Sequence, residues 1–160
     1  MKKYLITLFL SILGTTVLAQ YHLDKGKIQL NVGVGFSSWG KPIYGAIDYG
    51  LKKDISLGTE ISYRNLVKKS DAFYIVKGVS GNINYHFGKV LNLPKDIDIY
   101  GGLNVGFFQW QSGNLQSNKW NTGLQAGARY FFKNNLAIHL EAGIGNAFSA
   151  GKIGLTFILK

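Results

Sequence analysis

The chain has 160 residues, no Cys, and 18 Lys and Arg against 8 Asp and Glu, a formal net charge of +10. The length suits one domain; the missing Cys excludes a disulfide framework and a lipid-modified amino-terminal Cys. The positive balance favours anionic surroundings such as phosphate-bearing lipid or polymer.

Residues 1–19 have the parts of a secretory leader in order: Lys2 and Lys3, an apolar run from Tyr4 to Leu13, and a small-residue exit ending Val17-Leu18-Ala19. The apolar run is too short for a spanning helix, which needs roughly twenty residues. Cleavage after Ala19 is therefore expected, with Gln20 starting a mature domain over residues 20–160. Losing two Lys and no acid, the mature part keeps a net charge of +8. An exported chain gives no reason to expect a nucleic-acid partner. No later stretch is apolar enough for a membrane helix, so an integral protein of this sequence must be a closed barrel, which leaves no sheet edge unpaired in hydrocarbon.

Period-two alternation dominates from Lys27 onward. In 27–36 one face carries Ile28, Leu30, Val32, Val34 and Phe36, and the other Lys27, Gln29, Asn31, Gly33 and Gly35. The pattern recurs and predicts strands at 43–51, 55–64, 73–87, 97–108, 120–132, 136–145 and 152–160. Eight is an even number, as it must be when both ends of a barrel lie on one side. Lys52-Lys53-Asp54 and Lys133-Asn134-Asn135 read as tight turns, and 109–119 as a long polar loop. The 88–96 connection, with Pro94, is long where a short turn is expected.

Volume decides which face points outward. An eight-stranded interior is just filled by side chains, and here the bulky residues share one face while most glycines share the other. The bulky face must meet lipid. Its one charge is Lys77, expected near the outer interface with its stem snorkelling toward headgroups. Tyr49, Tyr85, Phe87, Tyr130, Phe132 and Phe157 mark one end of the outward face, and Phe36, Tyr63, Phe107 and Trp120 the other, as two aromatic girdles.

On these features the chain resembles the small outer-membrane β-barrel proteins of the OmpA/OmpX-like kind. Lys152, Gly154, Phe157 and Leu159 resemble that class's carboxy-terminal assembly signal, although the chain ends Leu159-Lys160 where an aromatic is usual. The resemblance implies an all-β, eight-stranded antiparallel up-and-down transmembrane barrel. It also implies an outer-membrane address, insertion by the barrel assembly machinery, a monomer, no cofactor, and contact with outer-membrane lipid including anionic lipopolysaccharide.

The inward face carries Asp48, Glu60, Arg64, Arg129, His139 and Glu141. Buried charges need partners, and the hairpin at 133–135 places Arg129 opposite His139 and diagonal to Glu141. A hydrogen-bonded plug is expected, with a proton or ion path as the alternative. Catalysis would need a Ser held by a His that a carboxylate orients; no Ser joins His139-x-Glu141 locally, and His86-Phe87-Gly88 offers no partner by spacing. His22, His86 and His139 do not make a metal site by spacing, and the Gly-x-Gly runs at 33–35 and 143–145 precede no helix, against a phosphate loop. A non-enzymatic structural or surface-contact role is expected. The alternatives are a lipid A-modifying barrel enzyme and a soluble periplasmic ligand-binding barrel.

Overall fold

The computed structural model describes residues 23–37, 40–67, 73–145 and 151–159. The leader, its cleavage site and Gln20 lie outside them. Among the described residues there are eight strands: β1 (Ile28–Phe36), β2 (Ile43–Lys52), β3 (Ile55–Val67), β4 (Phe73–His86), β5 (Ile97–Ser112), β6 (Leu115–Lys133), β7 (Leu136–Gly145) and β8 (Gly151–Leu159). Each pairs antiparallel with the next, and β8 closes on β1. Closure satisfies the backbone of both terminal strands, so the sheet has no edge within the ring. We call lower the end that carries the connections 53–54, 87–96 and 134–135, and upper the opposite end.

The tight lower turns are as expected, each beside a β-bulge, at Gly50/Lys52 and at Phe131/Lys133. The 87–96 connection is compact rather than loose: the Leu91 amide donates to the Phe87 carbonyl at 2.9 Å and the Leu93 amide to that of Gly88 at 2.9 Å. Asn92, at φ 50°, takes the left-handed position that closes this turn.

The expected polar loop at 109–119 is instead a hairpin. β5 and β6 stay paired up to Ser112↔Leu115 around the two-residue turn Gly113-Asn114, where Gly113 has φ 55°. The segment is polar outside and mixed inside, where Trp110 and Leu115 share the face with Ser112, Ser117 and Lys119, which reads as loop in a one-dimensional pattern. It is strand here because the ladder satisfies its backbone and Trp110 packs inward on Val76 and Phe108. As a result β3 to β6 have 13, 14, 16 and 19 residues, whereas β7, β8, β1 and β2 have 10, 9, 9 and 10. One wall of the barrel stands above the other.

The faces are as the volume argument requires. Val32, Ile47, Leu57, Ile61, Leu103 and Leu140 are exposed on the outside, while Asn31, Asp48, Asn84, Arg129 and Thr156 are buried within. This inside-out distribution excludes a soluble barrel with an apolar lumen. The glycines explain how the lumen closes. Several bulky inward residues face a glycine on the adjacent strand, as in Tyr100↔Gly127, Asp48↔Gly58, Phe108↔Gly78 and Tyr44↔Gly33. A Cβ on Gly127 would lie 2.3 Å from the Tyr100 ring, and one on Gly58 2.0 Å from the Asp48 carboxylate. Outward-facing Gly45 has nothing within 4 Å of the same position. The glycines therefore seat neighbouring side chains.

Apolar groups close both ends of the polar interior. Val76 and Phe108 pack together with Trp110 near the upper end; Leu23, Phe131 and Ala137 are buried near the lower. The chain before β1 lies across Gly50, whose amide donates to the Lys27 carbonyl at 3.0 Å and whose carbonyl accepts from the Gly26 amide at 2.8 Å.

Candidate functional site

Alternation points the chemistry-bearing residues inward, and closure then joins strands distant in sequence. Arg129 on β6 donates from Nη1 to Asp98 Oδ2 on β5 at 2.8 Å and from Nη2 to Asp48 Oδ2 on β2 at 3.3 Å. With the Gln29 amide turned to present its oxygen, that oxygen takes Arg129 Nη2 at 3.0 Å and Nε at 3.1 Å. Since a guanidinium has only donors, this is the orientation the site demands. The guanidinium carbon lies 3.9 Å from the centre of the Tyr100 ring, which stacks against it.

A second cluster centres on Lys152 of β8, which donates to Glu60 Oε2 on β3 at 2.7 Å and to Glu141 Oε1 on β7 at 2.8 Å. The Tyr100 hydroxyl donates to Glu141 Oε2 at 2.8 Å, so one side chain links both clusters. A chain of donors closes the remaining gap. The Tyr44 hydroxyl meets His139 Nε2, His139 Nδ1 meets Thr156 Oγ1 at 3.0 Å, Thr156 donates to Asn31 Oδ1 at 2.7 Å, and Asn31 Nδ2 donates to Asp48 at 2.8 Å. Because Thr156 gives its one proton to Asn31, Nδ1 of His139 must be the donor and Nε2 the acceptor from Tyr44. Between the clusters is a cavity of about 20 Å³, lined by Asp48, Glu60, Tyr100, Arg129 and Glu141 among others. That is room for about one water molecule.

The expected residues Asp48, Glu60, Arg129, His139 and Glu141 all belong to this plug. Arg129 does sit opposite His139, but its carboxylate partners are Asp98 and Asp48, not Glu141. Glu141 is committed to Lys152, which the sequence reading placed only in the carboxy-terminal signal. Arg64 is buried too but lies nearer the upper end, where Nη1 donates to Ser37 Oγ at 3.2 Å. Asp98, His86, Ser56 and Lys152 are the members sequence reasoning missed. Asp98 had a usable signal: with Gly113-Asn114 read as a two-residue turn, hairpin register puts Asp98 directly opposite Arg129.

His86 also has partners, against the expectation from spacing. Its Nδ1 lies 2.9 Å from Asp98 Oδ1 and its Nε2 3.0 Å from Ser56 Oγ, a Ser–His–Asp order of contacts assembled from β3, β4 and β5. Residues 30 and 12 positions away in sequence reach His86 only across the ladder. The arrangement is not presented to a substrate. Ser56, His86 and Asp98 are each 1% exposed, and Asp98 Oδ2 is held by Arg129. These contacts continue the plug downward.

The raised wall is the other distinctive region. Trp120, 72% exposed, and Phe107 pack edge to face at 5.3 Å on the outer surface. Lys77 lies one ladder step above Phe107, paired with Tyr63 and Gln109. From that level upward the outward positions of β5 and β6 are Gln109, Gln111, Gln116 and Asn118, so on these two strands the apolar band stops there, while β4 still carries Ile75 beside Gln111. β6 begins to pair with β7 only at Gly123↔Gly145, and Leu115–Lys119 on that side face no described strand. At the lower end Tyr49, Tyr85, Tyr130 and Phe132 are exposed, Phe87 packs on Tyr85 at 5.0 Å, and Phe157 is half-buried.

No protein-family model matches the sequence, and a comparison with curated proteins finds no match. Solved structures are similar in fold. The outer membrane protein OprG from Pseudomonas aeruginosa matches with a TM-score of 0.64 at 9% identity, over 87% of this chain and 98% of its own. Neisserial surface protein A matches at 0.60 and 13%, over 84% and 96%. A de novo designed transmembrane β-barrel matches at 0.58 and 20%, over 86% and 99%. A designed protein in this set means that the likeness reflects shared barrel geometry. The chain has the fold of the eight-stranded transmembrane β-barrels.

Proposed function

We propose that the protein is an integral outer-membrane barrel, exported through the leader at 1–19, closed to solutes and acting by surface contact. The observation that carries this reading is the raised wall. β3 to β6 continue past the aromatic level, β5 and β6 into a hairpin with a polar outer face, and among the described residues the β6 backbone at Leu115–Lys119 faces no strand on its far side, where an extended partner segment would add. A barrel serving only as a membrane plug has no use for such an extension. The filled lumen argues against a pore, because Arg129 and Lys152 are each held between two carboxylates and the cavity between them is water-sized.

The reading is non-enzymatic and needs no cofactor. An enzyme acting on lipid A would present its nucleophile to the lipid face, whereas Ser56 points into the closed interior. Lipopolysaccharide is a neighbour of the upper rim in this reading, and the Lys152, Gly154, Phe157 and Leu159 pattern serves delivery to the barrel assembly machinery. The barrel is taken as a monomer.

Two measurements test the proposal. Asn114→Cys should react with a membrane-impermeant maleimide on intact cells; protection there, with labelling only after lysis, would put the raised wall on the wrong side. Refolded protein in planar bilayers should show no sustained conductance, and liposomes containing it should not swell in small sugars. Steady single-channel steps with sugar uptake would make it a pore.

A further inference from the structure

The lower end carries a second feature that neither the plug nor the raised wall uses. Lys25, Lys52, Lys53, Lys89, Lys95 and Lys133 are exposed there. The acids at the same end are Asp24, Asp54 and Asp96, all half-buried, with Asp24 held by Lys27 at 3.2 Å. Beside these lysines the 87–96 connection holds Val90 and Leu91 65% and 53% exposed. Their exposure is not the result of a loose loop, since the Phe87–Leu91 and Gly88–Leu93 hydrogen bonds fix the turn that presents them. The turn starts at Phe87, which packs on outward-facing Tyr85, so it leaves the barrel at the level of the lower aromatic girdle.

Apolar side chains flanked by lysines at a membrane interface combine two attractions. The aliphatic groups enter the acyl boundary and the ammonium groups meet headgroup phosphates. We propose that the lower rim is a binding surface for anionic phospholipid headgroups of the adjacent leaflet, with Val90 and Leu91 as its wedge and Lys52, Lys53, Lys89 and Lys95 as its phosphate contacts. Charge complementarity selects this occupant, because the rim offers cations in excess of acids and a zwitterionic surface gives them no net attraction. The proposal rests on the membrane-spanning reading above, and it concerns the leaflet opposite to the one the raised wall crosses.

The test uses full-length mature protein refolded into phosphatidylcholine vesicles, with spin-labelled phosphatidylglycerol or phosphatidylcholine as probe. The expected result is a several-fold preference for the glycerol lipid in the immobilised shell, shrinking as salt rises. K52Q/K53Q/K89Q/K95Q should lose most of it, and the upper-rim variant K41Q/K77Q/K119Q should keep it. A dye on Val90→Cys should emit at shorter wavelength than one on Lys53→Cys. The proposal is overturned by an absent preference, by an intact preference in the lower variant, or by equal losses in both variants. Suppression by inorganic phosphate beyond that of chloride at equal ionic strength would overturn it too, since it would mean a discrete anion site. A barrel that inserts normally yet shows no lipid preference would end this proposal and leave the membrane-spanning reading standing.

Discussion

The two walls of the barrel obey different rules. In β7, β8, β1 and β2 the strands run 9 or 10 residues, about what a tilted strand needs to cross hydrocarbon, and their outward positions are apolar nearly throughout. β3 to β6 contain the same band and then continue, β5 and β6 with glutamine and asparagine outside where the short wall has already turned. Strand length alone therefore does not report burial in lipid. What separates the zones is whether the outward position is apolar and whether the inward position meets a partner across the lumen. Within the band both walls are tied together: Arg129 on the tall wall holds Asp48 on the short one, and Lys152 on the short wall holds Glu60 on the tall one. Higher up the tie described is a hydrogen bond, from Arg64 of β3 to Ser37 beyond β1.

The largest expected effect tests those struts. Arg129→Ala strands Asp98 and Asp48 in a closed interior and should cost about 3 to 5 kcal/mol of stability, whereas Lys119→Ala, on the exposed extension, should cost little. Reversible urea unfolding in lipid vesicles measures both, and equal effects would mean that Arg129 is solvated.

Next comes the upper apolar closure. Phe108→Ala removes the ring that packs on Val76 and fills the space over Gly78, and the expected loss is about 3 kcal/mol or more. The same substitution should increase water entry, seen as faster exchange of band amides. Unchanged exchange with unchanged stability would show that the two walls do not need closing at this end.

Gly127→Ala and Gly45→Ala make a matched pair on the two faces. The first drives a methyl into the Tyr100 ring and should cost about 1 to 3 kcal/mol; the second enters open space facing lipid and should stay within about 0.5 kcal/mol. Reversal of that order would invert the assignment of faces.

The smallest effect is expected from trimming the raised wall. Removing the register-matched pairs Gln111↔Gln116 and Ser112↔Leu115 while keeping Gly113-Asn114 should leave the unfolding midpoint nearly unchanged, because those residues sit above the struts. A large loss of stability would make the extension part of the folding unit and weaken its reading as a contact surface.

Much of the band was legible because its physics is local. Alternation is a property of neighbouring residues, so strand existence, the outward face, both girdles and the Arg129–His139 register followed from adjacent positions and one tight turn. The 109–119 segment was misread for a related reason: a mostly polar segment without a clean apolar face signals loop unless the hairpin turn at its centre is recognised. That one misreading also hid Asp98 as the partner of Arg129.

The sequence by itself thus determined a closed barrel with a polar interior and an apolar exterior, since hydrocarbon admits no unpaired sheet edge and eight strands cannot turn the bulky apolar face of every strand inward. Only the tertiary structure decided who partners whom in the lumen. The contacts from Arg129 to Asp48 and from Lys152 to Glu60 join residues 81 and 92 positions apart. Such pairs become neighbours through closure and strand stagger, which no periodicity along a single strand encodes.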